Sequence, residues 1–112
     1  MNDDRKLFGC FLKDLIKQCN MTQTTFYLEV GITKPYYYDI VSGKINPPPP
    51  EIQYKMLEIL KGISNEQRNT FLNLAAKGRG EIPADIAKLI SDHPQNLEEI
   101  RTTLMQLLSA HV

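Results

Sequence analysis

Residues 21–43, MTQTTFYLEVGITKPYYYDIVSG, decide how this chain folds, because they are typical of two short helices joined by a tight turn. Thr22 is placed to cap the first helix, because its hydroxyl can accept a hydrogen bond from a free amide of the first turn. Gly31 supplies a residue that can adopt a positive φ, where a side chain would clash. Thr33 then caps the second helix.

The two predicted helices each have an apolar face. Phe26 and Val30 lie four positions apart on the first helix, and Ile32 returns to the core after the turn. The inward face of the second helix carries Tyr37, Ile40 and Val41. Its outward face carries Lys34, Pro35, Tyr38 and Asp39. An exposed second helix after a tight turn is the layout of a helix-turn-helix motif.

This stretch resembles the Xre-type helix-turn-helix family, which includes the lambdoid phage repressors and Cro proteins. The residues that match it in order and spacing are Met21-Thr22-Gln23, Phe26, Val30-Gly31-Ile32-Thr33, Ile40 and Gly43. Tyr27 departs from the family, which usually has a small Ala there, so its ring must either splay the helices or point outward. Tyr37 replaces the usual Leu or Ile. The resemblance implies an all-α fold with a five-helix, lambda-repressor-like core.

The flanking segments supply the other helices of that core. Residues 6–19 predict an amphipathic helix, in which Gly9 is expected where another backbone comes close. Residues 43–50, GKINPPPP, break the helical pattern. We favour a stiff connector whose last proline starts the next helix over a ligand for an aromatic-lined groove. Residues 64–67 then match a capping box that opens a fifth helix.

We place the end of the fifth helix at Gly78, followed by a flexible basic turn over residues 77–81. The helix-turn-helix DNA-binding domain is therefore expected to span residues 1–78. Residues 79–112 form a helical extension packed on the core and carry two additional C-terminal helices. The first of these begins at Pro83 and closes at residues 92–94, and the second has a capping-box candidate in Asn96 and Glu99.

The last helix carries an apolar seam at alternating spacings of three and four residues. The predicted dimer or partner interface is formed by Leu97, Ile100, Leu104, Leu107 and Leu108. This seam is too short for an independent coiled coil, so it packs on its own domain, on a second copy or on another protein. We favour association, because DNA-reading proteins of this kind usually act as dimers.

The composition is that of a small globular protein with no strong charge. The chain has 112 residues, 13 Lys and Arg against 13 Asp and Glu, and no apolar run long enough to cross a membrane. Its N-terminus lacks a signal-peptide pattern, so we expect a cytoplasmic protein that does not associate with membranes. Cys10 and Cys19 are expected to be buried, reduced thiols. With His93 and His111 isolated, no metal, cofactor or enzymatic activity is predicted.

The resemblance implies which residues contact double-stranded DNA. Gln23 meets a phosphate at a helix N-terminus, Lys34 donates to guanine, and Asp39 accepts from cytosine. Pro35 suits a thymine methyl group. The remaining predicted DNA contacts, mostly to phosphate and sugar, are Thr33, Tyr36, Tyr38, Ser42, Lys44 and Asn46.

The leading hypothesis is a sequence-specific transcriptional regulator, a repressor that binds its operator as a dimer through the major groove. The alternative is a protein-interaction module of the antitoxin-like or phage-encoded type, in which the C-terminal helix binds a second protein. The neutral surface and the leucine seam favour the alternative, and the match in residues 21–43 favours the first.

Overall fold

The computed structural model describes residues 3–109, and every regular element in that range is helical. His111 therefore lies outside the described residues. The fold is the predicted all-α arrangement of a five-helix core followed by two more helices. The helices are α1 (Asp3–Gln18), α2 (Gln23–Val30), α3 (Lys34–Val41), α4 (Pro50–Ile59), α5 (Asn65–Arg79), α6 (Ala84–Ser91) and α7 (Leu97–Ser109).

Helix α1 is the centre of the core and packs mainly against α5 and α3. Its inward face places Phe8 edge-on to Phe71 of α5, with ring centroids 5.1 Å apart. Both rings are fully buried, as are Leu12 and Tyr37. Burial of such side chains is worth roughly 1.5–3 kcal/mol each, so this face fixes the positions of α3 and α5 against α1.

Gly9 lies where another backbone comes close, as the sequence predicts. A Cβ atom at this position would lie 2.6 Å from the carbonyl carbon of Val41 at the end of α3. Because only a residue without a side chain permits this approach, Gly9 sets the distance between α1 and α3.

The proline run is a connector, and its last residue, Pro50, is the first residue of α4. Pro47 and Pro48 are fully buried. Their carbonyls accept hydrogen bonds from Arg79 at 3.0 Å and from Gln53 at 2.8 Å. Two of the four prolines are therefore part of the core, and the docking-ligand interpretation does not fit this structure.

Helix α5 begins as predicted and ends later than predicted. The Ser64 amide donates to Gln67 Oε1 at 2.9 Å, and the Gln67 amide donates to Ser64 Oγ at 3.1 Å, which completes the capping box. The predicted end at Gly78 is wrong, because the helix continues to Arg79 and Gly80 adopts the left-handed conformation, with a φ of 69°. Gly78 is buried against Pro47, where a Cβ atom would lie 2.7 Å from Cγ. The expected basic turn is therefore partly helical.

Each helix of the extension begins shortly after a proline. Helix α6 begins at Ala84, one residue after the predicted Pro83, and Asp92 follows it, as predicted. The capping box predicted at Asn96 is wrong, because a turn of 3₁₀ helix over Pro94–Asn96 leads directly into α7. The proline fixes a helical φ ahead of the expected start, and the Asn96 amide bonds to the His93 carbonyl at 3.0 Å instead.

The two cysteines are not both buried. Cys10 is exposed, because α1 turns positions 8, 9 and 12 inward and position 10 outward, so the expectation of a buried thiol is wrong there. Cys19 is half-buried, and both thiols are free. Within residues 3–109 no helix is long and apolar enough to cross a membrane, and no cluster of three or more His, Cys, Asp or Glu could hold a metal ion.

Candidate nucleic-acid interface

The turn between α2 and α3 is held by three local interactions. Thr22 Oγ1 accepts a hydrogen bond from the amide three residues later at 3.1 Å and caps α2. Gly31 ends α2 with a φ of 85°, and its amide donates to two carbonyls of the last turn. Thr33 Oγ1 caps α3 in the same way at 3.3 Å. The cap uses this hydroxyl as an acceptor only, so its hydrogen remains able to donate to a phosphate oxygen.

Tyr27 fills the space between the two helices. Its side chain is 8% exposed, with its ring centroid 5.5 Å from Tyr37 and 6.4 Å from Tyr38. Of the two alternatives that the sequence left open, the outward-pointing ring is therefore wrong. The inward position is stable because the three aromatic rings pack at tilted and edge-on angles, and the quadrupoles of aromatic rings favour these angles.

The outward face of α3 carries the predicted residue types with different exposures. Lys34, Pro35 and Tyr38 are exposed, whereas Asp39 is half-buried. Tyr36 is also half-buried and packs partly against the core. Burial raises the pKa of its phenol against a smaller opposing effect of Arg79, so the group remains a neutral hydrogen-bond donor. Tyr36 therefore presents less of its side chain on this face than Tyr38 does.

Gln23 is the first residue of α2 and is bonded to α3. The hydroxyl of Tyr37 donates to Gln23 Oε1 at 2.7 Å. This contact ties the N-terminus of α2 to the middle of α3. It brings the predicted phosphate-binding residue next to the predicted base-reading helix.

The loop after α3 folds back on the end of that helix. Ser42 Oγ donates to the Asp39 carbonyl at 3.3 Å, and the Lys44 amide donates to the same carbonyl at 3.0 Å. Lys44 Nζ lies 4.0 Å from Asp39 Oδ1 in an exposed pair, which is worth little in water. Asn46 is exposed at the end of the loop. Ser42, Lys44 and Asn46 thus extend the surface that begins at Lys34.

Two basic residues at the start of α1 lie beside this loop and were missed from the sequence. Arg5 Nη1 donates to the Lys44 carbonyl at 3.4 Å. Lys6 lies against Gly43, where a Cβ atom would be 2.7 Å from Lys6 Cγ. The basic pair at residues 5 and 6 was visible, but only the tertiary fold brings it next to residue 44, 38 positions away.

The predicted interface residues lie elsewhere, on α7, and they line a groove together with α6. One part of this groove has a volume of 390 Å³ and is lined by Ile86, Leu89, Ile90, His93, Asn96, Ile100 and Leu104. A second part of 340 Å³ lies along α7 and includes Leu97 and Leu108. Leu107 is 54% exposed and lines neither part, so it is the one predicted interface residue outside the groove. The contribution of α6 was not predicted, although its apolar spacing was visible.

Comparison with known proteins identifies part of the chain. Residues 12–66 match the family model described as helix-turn-helix, of the Xre or lambda repressor-like type. This stretch is a helix-turn-helix domain of that family. Such a domain is a DNA-binding regulatory module and is not typically enzymatic, and the match supports a DNA-binding helix-turn-helix regulator. No curated protein and no solved structure matches the chain.

The matched stretch includes α2, α3, α4 and residues 12–18 of α1, and it ends in the first turn of α5. All the predicted DNA-contacting residues of the helix-turn-helix domain fall inside it. The groove between α6 and α7 lies outside it, so the family match says nothing about what that groove binds.

Proposed function

We propose that this chain is a transcriptional repressor that binds operator DNA as a homodimer, with α3 of each copy in the major groove. The observation that carries the proposal is the exposed N-terminal face of α3, which presents Lys34, Pro35 and Tyr38 from a capped and aromatic-packed motif. A helix that enters the groove by its N-terminal residues places Lys34 and Pro35 at the base edges, with Tyr38 beside the backbone.

The base-reading roles follow from the chemistry of each side chain. Lys34 donates to guanine O6 and N7, Pro35 contacts a thymine methyl group, and Asp39 accepts from cytosine N4. The pairing of Asp39 with Lys44 is weak and exposed, so binding can exchange it for base and phosphate contacts. Phosphate and sugar contacts are assigned to Gln23, Thr33, Tyr36, Tyr38, Ser42, Lys44 and Asn46.

The cations beside this surface are few, and the chain has no net charge. Lys34, Lys44, Arg5 and Lys6 are the candidates to neutralise phosphates. Because each neutralised phosphate contributes about 0.9 to the slope of log K against log salt, we expect a slope of roughly −4 per copy or shallower. Affinity then depends on two copies binding together.

We assign dimerisation to the groove between α6 and α7. Leu104 is 44% exposed and Leu108 is 64% exposed, although both lie on the apolar stripe of a regular helix. In a two-fold arrangement, α7 of each copy lies in the groove of the other. The same patch of residues then forms both sides of the interface. In this proposal residues 1–78 bind DNA and residues 79–112 assemble the dimer.

The DNA proposal is tested with a 30-base-pair duplex selected from a random pool by the full chain. Lys34→Ala is expected to weaken binding to it about tenfold and to relax preference at one base pair, because a base contact is lost. Lys55→Ala, at an exposed lysine on α4, is the matched control and should bind as the wild type does. Failure to select any sequence would contradict the proposal.

The dimer is tested by light scattering of Leu104→Glu beside Gln106→Glu, which places the same charge on the same helix but outside the groove. Leu104→Glu is expected to give a monomer and Gln106→Glu a dimer. A wild-type chain that is monomeric at all concentrations would instead favour the second candidate function, capture of a different protein by the exposed groove.

A further inference from the structure

The buried phenol of Tyr37 is held in one position by aromatic neighbours. Its side chain has no exposed surface, and its ring centroid lies 5.0 Å from Tyr38, 5.5 Å from Tyr27 and 6.2 Å from Phe26. Its hydroxyl oxygen lies 2.7 Å from Gln23 Oε1. Since the ring cannot move without displacing these neighbours, the hydroxyl is a fixed point at the N-terminus of α2.

The chemistry of this contact sets the orientation of the Gln23 amide. Burial raises the pKa of the Tyr37 phenol well above its ordinary value, with a smaller contribution from Tyr38, so the hydroxyl keeps its proton. A buried hydroxyl that donates must face an acceptor, which in a glutamine is Oε1. Gln23 Nε2 therefore remains available as a donor, and it makes no hydrogen bond within residues 3–109 and is not among the buried unpartnered atoms. The half-buried side chain leaves it accessible.

We propose that Tyr37 is a positioning residue for DNA binding, whose hydroxyl holds the Gln23 amide so that Nε2 donates to a backbone phosphate at the N-terminus of α2. The inference rests on the proposed function, because it assigns to that function a residue that does not itself touch DNA. An amide fixed before binding loses less conformational entropy when the phosphate arrives. The free amides of the first turn attract the same anion. An aliphatic residue at position 37 would have no hydroxyl and would leave the Gln23 side chain unheld.

The first test compares Tyr37→Phe with Tyr54→Phe on the selected duplex. Tyr37→Phe keeps the ring and removes the hydroxyl, and we expect binding to weaken about three- to tenfold, the range that corresponds to immobilising one long side chain. Tyr54→Phe removes a hydroxyl on α4 and should leave binding unchanged. Urea unfolding of each variant verifies that the protein is folded under the binding conditions.

The second test separates positioning from general packing. Gln23→Ala is expected to weaken binding about tenfold, and Tyr37→Phe should have no further effect in that background, since there is no amide left to hold. Gln23→Glu retains an acceptor for the Tyr37 hydroxyl but has no N–H donor, so it should lose DNA binding while the fold is kept. A duplex with a neutral methylphosphonate at the contacted phosphate should remove the difference between wild type and Tyr37→Phe.

The possible failures are distinguishable. If Gln23→Ala weakens binding and Tyr37→Phe does not, the positioning role is wrong and the proposed function stands. If Tyr37→Phe weakens binding equally with and without Gln23, the effect comes from core packing and the inference is again wrong. If Gln23→Ala binds as the wild type does, the phosphate contact itself is wrong. If the wild-type chain binds no DNA, the proposed function and this inference fall together.

Discussion

Helices α1 and α7 have similar apolar patterns in the sequence and different environments in the structure. Helix α1 buries Phe8, Leu12, Leu15 and Ile16, each at most 1% exposed. Helix α7 has an equally regular stripe, but no residue of its described part is buried. Apolar periodicity therefore indicates that a helix has a face to cover, and it does not say whether the cover comes from the same chain.

This difference separates a region whose apolar faces are buried within one chain from a region whose apolar face is exposed. In the core, the contacts of α1 with α3 and α5 bury the apolar faces of these helices. The extension contacts α5 through α6 and leaves the groove between α6 and α7 open. An exposed apolar surface of this kind is typical of an interface, which is why we assign assembly to the extension.

The largest expected contrast is between two leucine truncations. Leu12→Ala should reduce the free energy of unfolding by about 2–5 kcal/mol, because it opens a cavity in the core. Leu108→Ala should change it by less than about 0.5 kcal/mol at concentrations where the chain is monomeric. Urea unfolding measures both values. Equal losses would mean that α7 is covered by its own chain and would break the comparison.

The next contrast concerns glycines. Gly9→Ala should destabilise the protein by about 1–3 kcal/mol, because the new Cβ overlaps the backbone at Val41, although alanine normally favours a helix. Gly62→Ala is the control, since its Cβ would meet only Cys19 Sγ at an ordinary 3.4 Å. Thermal unfolding of both variants checks this, and a stabilising effect of Gly9→Ala would contradict the close approach of α1 and α3.

Alkaline pH should reduce the stability of the core, where the tyrosines ionise. Residues 79–112 contain no tyrosine. The folded pKa of Tyr37 is raised, so its contribution to stability is complete below the unfolded pKa near 10 and declines as the pH rises above it. The slope is about 1.4 kcal/mol per pH unit. Tyr37→Phe should be about 1 kcal/mol less stable than wild type at pH 7, and this deficit should disappear near pH 11. Urea unfolding at the two pH values measures it, and a constant difference would refute the buried phenol.

The smallest contrast is between two helix starts. Ser64→Ala should cost about 1 kcal/mol, because it removes the capping box of α5. Asn96→Ala should change the stability of the monomer by less than about 0.5 kcal/mol, since α7 follows a 3₁₀ turn and has no side-chain cap at that residue. Chemical unfolding is the measurement. A similar loss at Asn96 would restore the second capping box that the sequence suggested.

Features that depend on residues three or four apart were predictable. The caps at Thr22, Thr33 and Ser64, the left-handed turn at Gly31 and the helix start at Pro50 each follow from neighbouring residues. Two errors in the helix boundaries occurred where two local signals competed. Gly78 and Gly80 both fit a helix end, and the contact of Gly78 with Pro47 decided between them. At the start of α7, Pro94 overrode the cap suggested by Asn96.

The candidate interface also has features that the sequence predicted and features that it did not. The sequence identified α3 and its exposed residues, because the motif is local and its spacing is specific. It did not show that Tyr27 lies inward, that Tyr36 is half-buried, or that Arg5 and Lys6 lie beside the loop after α3. Each of these depends on how α1, α2 and α3 pack, which no short window of sequence records.

The sequence by itself determined the helices, their caps and the family to which residues 12–66 belong, since these rest on interactions within one or two turns. Only the tertiary structure decided that the Tyr37 hydroxyl meets Gln23, 14 residues earlier, and that the apolar face of α7 remains open. The physical reason is that a side chain's own chemistry fixes what it can bind, whereas packing between distant segments fixes what it meets.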